Sequence, residues 1–192
     1  MPVLAQADIK YNPEERYLIP NAEDNEGAND VTINPIEATD LPEVLATKLR
    51  NTLKECTKDN PPIEKLKLYS YTSQQTRKKH RLPNVLVDFS ALSGGNMQPC
   101  YQPYVLCQDK SCQLLGYINT GDETAWDLGF SIPILFWTTE SKEIMGEKGH
   151  QRTYFKISSD TPNCEEFQGK LRDGVCEQSY EWRSKDLSLA QP

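Results

Sequence analysis

Six cysteines in 192 residues constrain this chain more than any other feature. They are Cys56, Cys100, Cys107, Cys112, Cys164 and Cys176. An even number permits complete pairing, and sequence alone does not choose among the connectivities. Structural zinc sites supply cysteines two to four residues apart, in two such pairs or together with histidines. Only Cys107 and Cys112 approach that spacing, no Cys-x-x-Cys occurs, and His80 and His150 stand far apart. Zinc and thioredoxin-like redox chemistry are therefore disfavoured, and no metal or cofactor is expected. Disulfides belong to oxidising compartments, so the cysteines predict a secreted or periplasmic protein.

The first residues agree with export. Residues 1–7 end in Ala5-Gln6-Ala7, the small-residue pattern that a signal peptidase cleaves, and are read as a signal-peptide remnant. Residues 8–38 read as a polar arm. Its stretch from Asn21 to Asp30 is acidic and amide-rich, and its carboxylates miss the spacing of a calcium-binding EF-hand. A single domain is expected over 39–186, followed by a tail at 187–192. That length buries a real core, which disulfides would reinforce rather than replace.

Residues 41–56 carry the clearest periodicity. Leu41, Val44, Leu45, Leu49, Leu53 and Cys56 form one stripe at helical spacing. Thr39 or Asp40 is placed to cap the start, and Asn60-Pro61-Pro62 forbids continuation. Strand patterns follow at 66–69, 85–89, 104–107, 112–118, 134–137, 153–157 and 179–183. Those at 104–107 and 112–118 flank the polar turn Gln108 to Ser111, a hairpin with Cys107 opposite Cys112. The expected fold is α+β: an antiparallel sheet of about six or seven strands with one main N-terminal amphipathic helix, stapled by disulfides. The predicted pairs are Cys107–Cys112, Cys164–Cys176 and Cys56–Cys100. The alternative pairs Cys100 with Cys107 or Cys112 and leaves Cys56 as a buried thiol.

The net charge of −7 removes the basic footprint that double-stranded nucleic-acid binding needs. No apolar run is long enough to span a bilayer as a helix. Two loops are candidates for binding: the basic segment Arg77, Lys78, Lys79, His80, Arg81, and the turn carrying Asp122 and Trp126. Trp126, Phe136, Trp137 and Trp182 either line a partner surface or pack in the core. Catalytic signatures are sparse. Ser93 follows a strand but lacks the Gly-x-Ser-x-Gly elbow. Asp88, within the apolar run Val85 to Phe89, is either a functional carboxylate shifted by burial or a tie for a neighbouring loop.

From residue 83 to 182, an apolar strand ending in aspartate precedes Cys100, Cys107 and Cys112, then Cys164, Cys176 and Trp182. In that order the chain resembles a group of uncharacterised secreted or periplasmic proteins of Gram-negative bacteria. The group's acidic Asp-x-Asn-Gly-Asp-Gly loop is replaced here by Lys79-His80-Arg81-Leu82-Pro83-Asn84. The resemblance therefore implies export and disulfides, without a calcium site. The expectation is a non-catalytic binding or accessory protein of unknown partner, an inhibitor, immunity-type or envelope factor that engages another protein or an envelope component. The enzyme alternative is a small extracellular hydrolase using His150 with Ser93 or Asp88. A third reading is a cytosolic protein with free thiols.

Overall fold

A computed structural model describes residues 31–72, 82–98, 106–108, 110–143, 151–160, 164–165, 169–183 and 186–189. The fold is α+β, with one α-helix and two antiparallel sheets of six and five strands among the described residues.

Helix α1 spans Glu43–Cys56. It starts later than the periodicity predicts, because Asp40 is used elsewhere. Its carboxylate accepts the Glu37 backbone N–H at 2.9 Å and closes the preceding 3-10 turn at Ala38–Asp40. The helix N-terminus is left to Pro42, which lacks an N–H, and to Glu43 in the first turn. Leu45, Leu49, Leu53 and Cys56 are fully buried, and Val44, predicted on the same stripe, lies at its rim with 36% exposure. Thr57 ends the helix: its backbone N–H and its hydroxyl both donate to the Leu53 carbonyl, at 2.9 and 2.8 Å. The Asn60 N–H then donates to Thr57 Oγ1 as the chain turns through a positive φ of 43°.

The first sheet contains β1 (Thr32–Ile36), β2 (Lys67–Thr72), β3 (Asn84–Asp88), β4 (Cys107–Gln108), β5 (Ser111–Asn119) and β6 (Trp126–Ile134). β5 is central: β3 and β4 pair along one edge and β6 along the other. Residues 32–36, within the predicted arm, thus form an edge strand on β2. Pro35 is tolerated there because an edge strand has one side with no ladder to complete. Period-2 alternation gives the sheet two apolar faces. Leu68, Val85, Val87, Leu115 and Tyr117 pack under α1. Leu86, Leu114, Phe130, Ile132 and Ile134 face the second sheet.

β6 serves both cores through one irregularity. Tyr117 opposes Leu128 while Gly116 opposes Phe130, so Gly129 is an extra residue in β6. The extra residue reverses the alternation. Trp126 points toward the helix layer, and Phe130, Ile132 and Ile134 point toward the other sheet. Phe130 lies across Gly116, where an added Cβ would penetrate its ring. Gly116→Ala is expected to cost about 1–3 kcal/mol in urea unfolding, with part recovered in Gly116→Ala/Phe130→Leu.

Leu135 is the corner between sheets, its N–H donating to the Ser158 carbonyl at 2.7 Å. Beyond it run β7 (Phe136–Glu143), β8 (Gln151–Ser159), β9 (Lys170–Arg172), β10 (Val175–Arg183) and β11 (Asp186–Leu189). Their order is β7-β8-β10-β11, with β9 also on β10. The predicted tail therefore begins inside β11. Asp173 and Gly174, with φ of 50° and 79°, form the two-residue turn between β9 and β10. The layers are helix, six-stranded sheet and five-stranded sheet. No helix is long and apolar enough to cross a membrane among the described residues.

Two predicted disulfides are present, Cys107–Cys112 and Cys164–Cys176. The first joins directly opposed residues of the β4–β5 hairpin. Cys56 is also disulfide-bonded, so the reading with Cys56 as a thiol does not hold. Its predicted partner, Cys100, lies outside the described residues.

Candidate functional site

The turn between β5 and β6 is the one predicted binding loop within the described residues, and it is held from below. Asn119, 1% exposed, ends β5. Its N–H donates to Asn84 Oδ1 at 3.1 Å. Its side-chain amide donates to the carbonyls of Asp122 at 2.7 Å and Ala125 at 3.2 Å. The Thr120 N–H also donates to the Ala125 carbonyl at 2.9 Å. The Asn119 side-chain amide N–H groups and backbone N–H are all engaged, and these bonds fix the path of the turn, while its buried Oδ1 has no partner among the described residues.

Asp122 organises the tip. One carboxylate oxygen accepts the Thr124 N–H at 2.8 Å and the Thr124 hydroxyl at 2.6 Å, an aspartate-closed turn. These two bonds, the hydroxyl first, hold its pKa below the ordinary carboxylate value. The ionised carboxylate therefore supports the turn at neutral pH, and this support disappears as pH falls through the folded-state pKa. Gly121, Asp122, Glu123 and Thr124 are exposed. The outer surface of the loop is therefore acidic, rigid and open to solvent.

Trp126, read both as part of the binding loop and as a core aromatic, takes the second place: it is a strut, only 3% exposed. Its ring belongs to the core beneath α1, and its Nε1–H donates to the Glu123 carbonyl at 2.9 Å. An indole buries readily when its single N–H is satisfied. Lys48 of α1 donates to the Trp126 carbonyl at 2.7 Å, joining the helix to the loop.

Asp88 is the second unusual place. It is 4% exposed at the end of β3 and faces the second sheet. One oxygen accepts the Ser90 N–H at 2.7 Å, and the other accepts Trp137 Nε1–H at 3.0 Å. The Trp137 ring meets Tyr69 edge-on at 5.1 Å and Phe155 at 5.8 Å. Burial first, and the Asp88 charge second, raise the Tyr69 pKa above its ordinary value of 10.0. Asp88 thus ties a 3-10 turn to one sheet and clasps that sheet to the other. Ser93 ends the same turn and is exposed. Phe136 faces solvent and Trp137 faces the core. The side chain of Trp182 lies outside the described residues, as do Arg77, Lys78, Lys79, His80, Arg81 and His150.

The sequence reading missed a shallow depression of about 380 Å³ between Arg50, Lys54 and the Asn60-Pro61-Pro62 turn. The Arg50 guanidinium is already engaged by Glu43 at 2.9 Å. No cluster of three metal-binding side chains occurs among the described residues. Comparison with protein-family models, with curated proteins and with solved structures finds no match.

Proposed function

We propose that this chain is an exported, disulfide-bonded binding or accessory domain of the inhibitor, immunity or envelope-factor kind, acting by contact rather than by chemistry. The observation that carries the reading is the 119–125 turn. Its buried struts, Asn119 and Trp126, turn their side-chain N–H donors to the loop backbone, while the Asp122–Thr124 tip is exposed. Preorganisation of this kind lowers the entropic cost of association. The acidic tip suits a cationic patch on a partner protein or envelope component. Such an attraction weakens with salt, because the screening length falls to about 8 Å at physiological ionic strength. Asp88, with both oxygens engaged in hydrogen bonds to Ser90 and Trp137, supports the non-catalytic reading over the hydrolase alternative. The disulfides support a compartment outside the reducing cytosol.

A photo-crosslinker at position 123, introduced in the source cell, tests the reading. One partner is expected to crosslink there and not from a control position at Lys58, exposed just beyond the far end of α1. Glu123→Lys is expected to reduce capture by about tenfold, with folding unchanged, as for loss of a charged rim contact. Capture unaffected by Glu123→Lys and by alanine substitution across 120–124 and 77–81 would rule this binding surface out.

A further inference from the structure

We infer that the outer edge of β7 pairs with the same edge of a second copy of this chain, extending the five-stranded sheet across a twofold axis. Exposed strand edges present unpaired N–H and C=O groups, and proteins commonly blunt them with proline, bulges or covering side chains. The edges of the six-stranded sheet carry such devices. β1 contains Pro35, and β6 contains Pro133, with the outward Trp126 carbonyl taken by Lys48. β7 contains none. It keeps an unbroken register with β8 from Phe136↔Ser158 to Glu143↔Gln151, and among the described residues it pairs with β8 alone. At its start, Phe136 is 55% exposed.

The groups available for pairing follow from the ladder. Arg172 and Val175 close a two-residue turn and so form a hydrogen-bonded pair. Alternation across β10 then assigns Cys176, Gln178 and Tyr180 to bonds with β8. Alternation across β8 leaves Tyr154, Lys156 and Ser158 to bond with β7. Trp137, Thr139 and Ser141 must therefore turn their backbone N–H and C=O groups outward. An antiparallel register centred on Thr139 sets Trp137 opposite Ser141 and Thr138 opposite Glu140. No like charges meet in those pairs, and each face of the sheet continues into the same face of its copy.

Sedimentation equilibrium of the oxidised full chain, at concentrations up to about 1 mM, tests the inference. A reversible monomer–dimer equilibrium is expected. Thr139→Pro deletes an outward N–H without touching the β8 ladder and should weaken the dimer by about tenfold or more. Thr139→Ala keeps the N–H and should leave the dimer intact. If the proline variant fails to fold, Thr139→Asp sets two like charges across the twofold axis and should weaken association similarly. A chain that stays monomeric overturns the inference, as does a dimer that a folded Thr139→Pro or Thr139→Asp variant retains.

Discussion

Complete reduction by a dithiol is expected to remove about 5 kcal/mol or more of stability, enough to unfold a domain of ordinary stability. The Cys164–Cys176 bridge, twelve residues apart, contributes about 3 kcal/mol by restricting the unfolded chain. The Cys107–Cys112 bridge, five residues apart, contributes about 2 kcal/mol. The Cys56 disulfide adds to both. Alanine substitution of each pair should follow that order in urea unfolding, with the larger loss at Cys164 and Cys176. Gly169 shows how closely the larger bridge is packed. Its N–H donates to the Cys164 carbonyl at 2.8 Å, and a Cβ there would lie 2.6 Å from Cys164 Sγ. A midpoint unchanged by reduction would mean that the core holds the fold alone.

Asp88→Ala is expected to cost about 2–4 kcal/mol, because it leaves the Ser90 N–H and Trp137 Nε1–H without their charged acceptor. Trp137→Phe removes one donor, so a double-mutant cycle should show a coupling of about 1–2 kcal/mol. Asp88→Asn keeps an acceptor oxygen and should cost less. It also removes the charge near Tyr69 and should bring that phenol back toward its ordinary value, though not fully, since burial is the larger cause. The folded state holds the Tyr69 proton more tightly than the unfolded chain does. Stability from this group is therefore complete below pH 10 and lost as pH rises through the folded-state value. Spectroscopic titration of tyrosine in the wild type and Asp88→Asn reads this directly. A catalytic Asp88 would instead give a stable, inactive Asp88→Ala protein.

Local patterns made part of this fold legible. The spacing of Leu45, Leu49, Leu53 and Cys56 marks the buried face of α1, and the short polar turn between Cys107 and Cys112 marks their hairpin. Other elements depend on partners remote in sequence. β1 contains Pro35 and becomes a strand only against β2. The strand expected at 134–137 instead spans the end of β6 and the start of β7, and most of β6 was missed, because the switch of faces at Gly129 and the corner at Leu135 come from tertiary packing. The Asp173-Gly174 dipeptide was a readable hairpin signal. In the binding loop, Asn119-Thr120-Gly121-Asp122 announced the turn. The struts did not show, because Asn84 lies on another strand and an aromatic residue beside a turn reads equally as surface or core.

The proposed compartment requires this domain to be oxidised in its native state. Acid-trapped alkylation of the native protein from its source, followed by mass mapping before and after reduction, tests it most directly. The expected result is no alkylated cysteine before reduction, with Cys107 linked to Cys112 and Cys164 linked to Cys176. Six alkylated cysteines in the folded, unreduced protein would contradict it.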